Sequence, residues 1–586
     1  MRRTVDSILE SYRAGTETPR GLISRIQAEI DADPGRDALF IRRLNAQDLE
    51  PYLLRLEREN PSMLPLFGVP FVIKDNIDLA GVPTTAACPD YAYTPEHSSF
   101  VVELLIQAGA IPLGKVNLDQ FATGLVGVRS PYGVPSNPIN PGYIPGGSSS
   151  GSAVAVAQGY AAFSLGTDTA GSGRVPAAFN ELIGLKPSRG ILSNRGVVPA
   201  CRSLDCVSVF AHTVGDARAV FEAICRFDPN DDFARPYEGH AIVFPDRVRV
   251  GIPDVKDLCF FGNASYENKF YEYLDALSGI PQVELKTIDF APFLDAARLL
   301  YEGSWVAERH AAVGGFLDRY PDAAHPVTAS IIAKGKALDA TFVFENMYAL
   351  QRCRRRAESV MREVDLVVTP TTGTHYRVSE VLADPLQTNS NLGYYTNFMN
   401  LLDFAALAIP ADRTASGLPF GVTLFAPSQS DHALMGFAAM LRNEPFSAYT
   451  RAEDRMELAV CGAHMRGLPL SQQWLSIGGK YVREISTAPA YRMICLHHKD
   501  PIRPGLVRCP NGADGASLEM ELWSLPVDQV GRFLSMIEEP LGLGSIETAD
   551  GKWVHGFLCE AAVASLPSSE DITHHGSWRR FLASRY

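Results

Sequence analysis

One serine of this sequence stands where a hydroxyl group could meet a substrate. Ser172 lies between two glycines in SLGTDTAGSGRVPAAFN, residues 164–180, after an apolar run and before residues that could form a helix. A serine hydroxyl is a weak nucleophile unless a neighbouring group takes its proton. No histidine lies near Ser172 in the sequence, so the base must be identified elsewhere.

A second stretch rich in glycine and serine, residues 141–159, allows three interpretations by itself. A flexible linker is disfavoured because small apolar residues follow at once in a helix-like block. A phosphate-binding loop would need the lysine of the Gly-Lys-Ser/Thr motif, which is missing here. A nucleophile elbow at Gly147–Gly151, with Ser149 as nucleophile, would need a preceding strand, and the three prolines of NPINPGYIPGG disfavour one.

A fourth interpretation joins this loop to Ser172 and to a lysine in an apolar run, VPFVIKDNID. Gaps of 74 and 24 residues separate Lys74, Ser148 and Ser172. From about residue 20 to 440 the chain resembles the amidase signature family, through six blocks in the family's order. The blocks are GVPFVIKDNI, GKVNLDQFATG, SPYGVPSNP, PGGSSSGSAVAVA, GTDTAGSGRVPAA and GLKPSRG. Each block alone is weak, whereas six in order are specific.

The resemblance implies a Ser–Ser–Lys triad with Ser172 as nucleophile, Ser148 as relay and Lys74 as base. Desolvation in an apolar strand lowers the pKa of a lysine, and a neutral amine can draw a proton from Ser172 through the Ser148 hydroxyl. The family also holds its relay serine by a cis peptide bond, here Gly147–Ser148. Taken singly, a strand-end lysine and helix-capping serines would explain these residues; at this joint spacing the triad is the better interpretation.

The resemblance further implies an oxyanion hole and a reaction. The backbone N–H groups of Thr169–Ser172 (Thr169, Ala170, Gly171 and Ser172) would bind the developing alkoxide, and one such donor is typically worth about 3 kcal/mol in the transition state. The reaction is acyl transfer: attack on an amide carbon, loss of ammonia, and hydrolysis of the acyl-enzyme.

Two positions depart from the family pattern. The loop GGSSSGS carries a third serine, so Ser149 and Ser150 stay open as relays, although the 24-residue gap to Ser172 favours Ser148. Gln120 stands in NLDQFA where family blocks often carry glutamate, which indicates specialisation without saying for what.

A carboxylate site is indicated by LLYEGSWVAERH, residues 299–310. Tyr301, Trp305 and Arg309 recur every four residues, so we expect them on one helix face. An arginine beside an aromatic ring could bind a small carboxylate through two hydrogen bonds, although a surface ion pair of Arg309 explains the pattern equally well. Gly124, in the block ATGLVGVRSPYG, is a further predicted substrate contact.

Three C-terminal blocks resemble the extra domain of the allophanate hydrolases: LAVCGAHMRGLPL, YRMICLHHKDPIRPGLVR and IETADGKWVHGFLCEA. This resemblance implies allophanate, a small urea-derived carboxylate, as substrate. Arg309 and Tyr301 would hold its carboxylate, and the C-terminal domain would promote decarboxylation of the product N-carboxycarbamate. His464 is the candidate for that second step, although a structural histidine in a turn explains it as well; unranked alternatives are His497, His498, Arg492 and Arg508.

Other functions stay open at this point. One alternative is an amidase of other specificity, such as a broad small-amide hydrolase or the glutaminase component of a tRNA amidotransferase, and the C-terminal domain argues against it. The other is a non-catalytic binding protein on an amidase scaffold, which the retained triad disfavours. The resemblance also suggests a homodimer and a pathway link to a urea carboxylase.

The elements that must position these residues alternate between apolar strands and helices, which predicts an α/β fold; the resemblance implies a central mixed sheet covered by helices. After residue 445 the sequence pattern changes to short, strand-like apolar runs that are separated by prolines and glycines. We therefore predict an amidase domain over 1–445, a linker over 446–458, and a smaller β-rich α+β domain over 459–586.

The bulk composition excludes several classes of protein. The 586 residues are 46% hydrophobic and 20% charged, with a net charge of −13 and scattered basic residues, so we expect no nucleic-acid surface. Ten cysteines without Cys-x-x-Cys or zinc spacing predict reduced thiols in a cytoplasmic protein. The sequence predicts no signal peptide, no membrane span, no cofactor and no metal.

Overall fold

The structure is a computed structural model that describes residues 2–61, 64–239, 242–445, 455–497, 499, 501–509, 514–566 and 569–585. The chain divides into two units, residues 1–446 and 447–586, and each is described by itself. No described helix has the length and apolar character that a membrane span requires.

The first unit is built on one mixed sheet of eleven strands. The strands are β1 (Phe40–Arg43), β2 (Pro70–Lys74), β3 (Ile111–Val116), β4 (Phe163–Asp168), β5 (Ile183–Lys186), β6 (Cys206–Ala211), β7 (Val248–Pro253), β8 (Val283–Ile288), β9 (Leu366–Pro370), β10 (Phe404–Arg413) and β11 (Pro419–Pro427). Their spatial order is β1-β3-β2-β4-β6-β5-β10-β11-β9-β7-β8. β2 is parallel to β3 and β4, and β7 is parallel to β8 and β9, whereas the other pairs are antiparallel.

Helices cover this sheet. They are α1 (Val5–Arg13), α2 (Pro19–Ala32), α3 (Arg36–Leu39), α4 (Ala46–Leu56), α5 (Phe100–Gln107), α6 (Ser150–Ala157), α7 (Val175–Phe179), α8 (Val214–Ile224), α9 (Ala264–Ser278), α10 (Ala291–Glu302), α11 (Trp305–Arg319), α12 (Pro326–Ala333), α13 (Ala340–Met361), α14 (Val378–Ala383), α15 (Gln387–Leu392), α16 (Phe398–Leu401) and α17 (Asp431–Leu441). Several central strands are buried along their whole length, as expected for near-continuous apolar runs with both faces covered. The predicted α/β fold with a central mixed sheet covered by helices is confirmed.

Two neighbouring parallel strands bring the chemistry-bearing segments to one edge of the sheet. β2 ends at Lys74 and β4 ends at Asp168, and Ile73 is paired with Leu165 in their common ladder. The carboxyl ends of parallel neighbours meet at the same edge. Lys74 and the residues around Asp168 therefore lie side by side although about ninety residues separate them in sequence.

The helix predicted to carry Tyr301, Trp305 and Arg309 is interrupted, which corrects the expectation of a single continuous face. α10 ends at Glu302 and α11 begins at Trp305. Gly303, between them, has an extended ψ of −160°, and a Cβ at that position would collide with the carbonyl oxygen of Leu299 and the side chain of Asn346. Close packing at this glycine breaks the helix, and the pattern of apolar residues alone does not reveal it.

The second unit is rich in strands, as predicted. Its strands are β12 (Arg455–Val460), β13 (Lys480–Ser486), β14 (Tyr491–Leu496), β15 (Arg503–Arg508), β16 (Glu519–Pro526), β17 (Leu541–Glu547), β18 (Trp553–Cys559) and β19 (Ser569–Asp571). They form a five-stranded sheet, β13-β16-β12-β18-β17, and a three-stranded sheet, β15-β14-β19. Its helices are α18 (Ser471–Ser476), α19 (Val527–Leu534) and α20 (Trp578–Ala583).

The predicted linker, residues 446–458, overlaps the first strand of this unit. β12 begins at Arg455, so residues 455–458 belong to a strand and not to a linker. Leu458 is buried in the core of the second unit, which accounts for the difference. The preceding part of the predicted linker, residues 446–454, lies outside the described residues.

Candidate active site

Lys74 is a fully buried amine at the end of β2. Its Nζ donates hydrogen bonds to Ser148 Oγ at 2.8 Å and to Thr167 Oγ1 at 2.7 Å. Burial lowers the pKa of Lys74 from 10.5 to about 7, and the nearby carboxylates, Asp119, Asp205 and Asp168, only partly oppose that effect. A large fraction of the amine is therefore neutral at neutral pH, which is the form that can accept a proton.

The Gly147–Ser148 peptide bond is cis, and Asp119 borders it closely. The backbone N–H of Asp119 donates to the carbonyl oxygen of Ser148 at 3.0 Å. The Asp119 carboxylate in turn accepts hydrogen bonds from the N–H groups of Val126, Gly127 and Arg129. A Cβ at position 147 would overlap this carboxylate, so the loop needs glycine there.

The other two serines of the loop are bonded elsewhere. Ser149 Oγ donates to the carbonyl oxygen of Thr167 at 3.1 Å, and Ser150 Oγ lies 3.5 Å from the carbonyl oxygen of Asn117. Ser149 occupies the N-cap position of α6, which begins at Ser150, but its side chain makes no capping hydrogen bond. Of the three serines, Ser148 is the one whose hydroxyl contacts the lysine amine.

Ser172 follows β4 in the turn that leads to α7, and its side chain is almost fully buried. Its Oγ lies 3.5 Å from the carbonyl oxygen of Gly124, which is a long hydrogen bond. Within the described residues no hydrogen bond joins Ser172 Oγ to Ser148 Oγ, so the structure connects Lys74 to Ser148 and places Ser172 against Gly124. Catalytic hydrogen bonds are often long before a substrate binds.

The loop from Thr169 to Ser172 is fixed by a buried ion pair. Arg174 binds both oxygens of Asp168 at 2.9 Å, and the same carboxylate accepts the N–H groups of Gly171 and Gly173. Because the N–H of Gly171 already donates to Asp168, it is not free to bind an oxyanion, and Gly171 is removed from the four donors that the sequence predicts. The backbone N–H groups of Thr169, Ala170 and Ser172 donate to no described residue and are the donors available to a ligand.

Asp205 supports the same loop from the other side. Its carboxylate accepts a short hydrogen bond from Thr169 Oγ1, at 2.5 Å, and further bonds from the N–H groups of Ala200 and Cys201. Complete burial raises the pKa of Asp205 to about 6. A carboxylate that holds the first residue of the loop fixes the direction of the neighbouring N–H groups.

Arg309 is buried at 2% exposure, yet most of its hydrogen-bonding capacity is unused. Nη1 donates to Thr123 Oγ1 at 3.1 Å, whereas Nε and Nη2 have no hydrogen-bond partner among the described residues. The guanidinium lies 5.4 Å from the centre of the Tyr301 ring, so these two residues meet despite the break at Gly303. No described carboxylate lies within ion-pair distance of Arg309. A buried guanidinium with free donors suits a small carboxylate ligand.

The amide of Gln120 bridges two segments of the chain. Its nitrogen donates to the carbonyl oxygen of Ala87 at 3.0 Å, and its oxygen accepts the N–H of His325 at 2.6 Å. A glutamate in its ionised form could accept the second bond but could not make the first. The departure from the family pattern at this position therefore has a structural reason.

In the second unit, His464 Nε2 lies 2.8 Å from Gln473 Oε1, and burial lowers the pKa of His464. The described alternatives are each bonded to a carboxylate: Arg492 to Asp571, His497 to Glu570 and Arg508 to Glu547. His498 lies outside the described residues. Among the described candidates, His464 alone forms no ion pair with a described carboxylate.

Sequence reasoning missed several residues of this site: Asp119, Arg129, Thr167, Asp168, Arg174 and Asp205. Asp168 and Arg174 stand inside the block GTDTAGSGRVPAA, and charged residues in a small-residue block are a usable signal. The other contacts join segments far apart in the chain, such as Thr169 with Asp205, and no local pattern indicates them.

Known protein families match both parts of the chain. Residues 45–435 match the family described as Amidase, and residues 456–583 match the allophanate hydrolase C-terminal domain. Urea amidolyase of Saccharomyces cerevisiae is 42% identical over 564 residues, which are 91% of this chain and 30% of that protein. A solved structure of Kluyveromyces lactis allophanate hydrolase is 37% identical, covers 100% of this chain and 99% of that one, and has a TM-score of 0.74. A glutamyl-tRNA(Gln) amidotransferase component from Acidobacterium capsulatum is 32% identical over 71% of this chain and 94% of its own. This chain thus spans less than a third of the urea amidolyase that it matches.

Proposed function

Because the chain belongs to the amidase family and carries a C-terminal domain of the allophanate hydrolase type, we propose that this amidohydrolase hydrolyses allophanate in urea degradation. The assignment of the substrate rests on the buried guanidinium of Arg309, whose Nε and Nη2 have no partner in the part of the chain that the structure describes. Allophanate presents a carboxylate two bonds from its amide carbon, so it fits a site with a cation on one side and a serine on the other.

The proposed reaction uses the residues around Lys74. The neutral amine takes the proton of Ser148 while Ser148 takes that of Ser172, and Ser172 Oγ attacks the terminal amide carbon. The N–H groups of Thr169, Ala170 and Ser172 itself would receive the negative oxygen. The C–N bond then breaks, the leaving amine takes back the proton, and ammonia leaves an acyl-enzyme.

Water then hydrolyses the acyl-enzyme. Allophanate and one water molecule give N-carboxycarbamate and one ammonium ion, with atoms and charge in balance. The second unit would promote loss of carbon dioxide from N-carboxycarbamate, and His464 is our candidate there because its ring contacts the neutral Gln473 side chain.

The substrate would lie between two groups of contacts. Arg309 would hold the carboxylate, with Tyr301 against the guanidinium face, and Gly124 would offer its carbonyl oxygen, which Ser172 Oγ now contacts, to the substrate amide. We also propose that the protein is a homodimer, that it is cytoplasmic, and that it acts in one pathway with a urea carboxylase. The link is supported by the urea amidolyase relative, of which this chain matches 30%. No disulfide bond joins the ten cysteines, all of which are described, and this agrees with a reducing compartment.

The test follows ammonia and carbon dioxide from synthetic allophanate, with wild type and Arg309→Met. Loss of a charge-assisted hydrogen bond costs about 1.5–3 kcal/mol, so we expect the KM for allophanate to rise by roughly ten- to a hundredfold and kcat to change less. The proposal fails if wild type releases ammonia from glutamine or simple amides but not from allophanate. An unchanged KM in Arg309→Met would remove Arg309 from the substrate site.

A further inference from the structure

A second arginine of the site is buried and forms no ion pair with a described carboxylate. Arg129 has only 1% of its surface exposed. Its Nη1 donates to the carbonyl oxygen of Thr123 at 3.0 Å and its Nη2 to that of Pro385 at 2.6 Å, while its buried Nε has no partner among the residues described. Within the described ranges no carboxylate forms an ion pair with Arg129. Its two side-chain acceptors are thus neutral carbonyl groups.

Arg129 and Arg309 hold the same residue. Arg309 Nη1 donates to the hydroxyl of Thr123, and Arg129 Nη1 donates to the carbonyl oxygen of Thr123. Two like charges therefore flank one threonine in the interior of the protein. Such an arrangement is costly, and a bound anion would relieve part of that cost.

The next residue links this pair to the nucleophile. The carbonyl oxygen of Gly124 lies 3.5 Å from Ser172 Oγ, and a Cβ at position 124 would lie 3.2 Å from Arg129 Nη1. Arg129 is thus adjacent to the segment that faces the nucleophile. The Asp119 carboxylate is an opposing charge that acts on Arg129, and its oxygens accept hydrogen bonds from three backbone N–H groups, those of Val126, Gly127 and Arg129.

We propose that Arg129 is a specificity-determining residue whose positive charge, added to that of Arg309, selects substrates with a carboxylate beside the reacting amide. This inference rests on the proposed function. Arg129 acts on the substrate through its positive charge, and it also positions Thr123 by its hydrogen bond to the Thr123 carbonyl oxygen. No direct contact between Arg129 and the substrate is part of the proposal.

The test compares two stable amides of nearly equal size. Malonamate carries one primary amide and one carboxylate, with a methylene in place of the imino group of allophanate, whereas malonamide is the neutral diamide. The preference is the ratio of kcat/KM for malonamate to kcat/KM for malonamide, measured by ammonia release. Arg129→Met removes the charge and Arg129→Lys keeps it. The matched control is Arg55→Met, because Arg55 also bridges two backbone carbonyls, those of Ile106 and Gln107.

We expect Arg129→Met to lower the preference by about tenfold or more, the order of effect of one unit charge removed from a few ångströms away. Turnover of malonamide should fall much less. Arg129→Lys should keep most of the preference, and Arg55→Met should leave it unchanged. An equal loss of both activities in Arg129→Met, or an unchanged preference, would overturn the inference and leave Arg129 a structural residue.

If Arg129→Met does not fold, Arg129→Gln takes its place, because glutamine keeps a hydrogen-bond donor without the charge. The charge role predicts a preference that falls in Arg129→Gln and is kept in Arg129→Lys, whereas a role limited to the two carbonyl bonds predicts the same preference in both variants. The proposed function is judged separately: wild type without any preference for malonamate refutes the carboxylate site as a whole. A preference that falls in Arg309→Met and not in Arg129→Met refutes only the inference on Arg129.

Discussion

Replacing Lys74 by methionine tests the base through stability as well as through activity. Burial lowers the pKa of Lys74 from 10.5 to about 7. Between these two pH values the unfolded chain binds a proton at Lys74 that the folded chain does not bind. Folded wild type therefore loses stability as the pH falls from about 10.5 to about 7, and the full cost, about 5 kcal/mol, applies below that.

Methionine has no such proton, so the comparison isolates this group. Relative to Lys74→Met, the free energy of unfolding of wild type should fall by about 1.4 kcal/mol for each pH unit between pH 9 and 7, or about 3 kcal/mol in total, and should level off below pH 7. Urea denaturation of both proteins at pH 6, 7, 8 and 9 measures this difference. Lys334→Met, at an exposed lysine, is the control for removing a positive charge.

The activity of wild type should titrate over the same window. Since only the neutral amine accepts a proton, kcat/KM should rise with pH to a plateau, with a midpoint at about 7. Lys74→Met should lack ammonia release at every pH. A stability difference that is flat between pH 9 and 7, together with a rate that still climbs above pH 9, would refute a neutral Lys74 as the base.

Three further predictions concern the nucleophile, the oxyanion loop and the second unit. Ser172→Ala should lower ammonia release by about 10⁴-fold or more without a change in the far-ultraviolet circular dichroism spectrum, and Ser148→Ala should have a similar effect. Thr169→Val removes the hydrogen bond to Asp205, so kcat should fall by about tenfold while KM changes little; Thr169→Ser, which keeps the hydroxyl, should restore kcat. His464→Gln should release the first ammonia from allophanate at the wild-type rate and delay carbon dioxide.

Each of these has an outcome that contradicts it. Near-wild-type turnover in Ser172→Ala would show that Ser172 is not the nucleophile. A Thr169→Val variant that changes KM alone would show that the contact with Asp205 serves binding. Simultaneous release of carbon dioxide and ammonia by His464→Gln would show that the decarboxylation step does not depend on His464.

The central part of the fold could be predicted because local patterns encode it, whereas the contact between Lys74 and Ser148, 74 residues apart, is implied by the resemblance to the amidase signature family. A lysine inside an apolar run marks the end of a buried strand, and β2 ends at Lys74. The small residues before Ser172 similarly predict a tight turn after β4. These features need only neighbouring residues in the chain.

Other features depend on contacts that local sequence does not contain. The break between α10 and α11 arises because Gly303 packs against Asn346, and the bond of the Gly171 N–H to Asp168 removes a predicted donor. Arg129 lies inside the block ATGLVGVRSPYG, but one of its two hydrogen-bond acceptors belongs to Pro385, 256 residues away. Spacing alone predicts none of these contacts.

The surroundings of Lys74 Nζ determine the direction of its lone pair. Thr167 Oγ1 also lies 3.4 Å from the amide nitrogen of Asn76, a donor, so that oxygen serves as an acceptor for the lysine. In the contact with Ser148 Oγ, at 2.8 Å, the amine is the donor. Once the amine is neutral and keeps its bond to Thr167, this contact can reverse, so that the lone pair accepts the proton of the Ser148 hydroxyl. The bond to Thr167 thus holds the lysine side chain in one orientation, in which proton transfer can begin. Replacing Thr167 by valine should therefore slow the reaction, although Thr167 never exchanges a proton with the substrate.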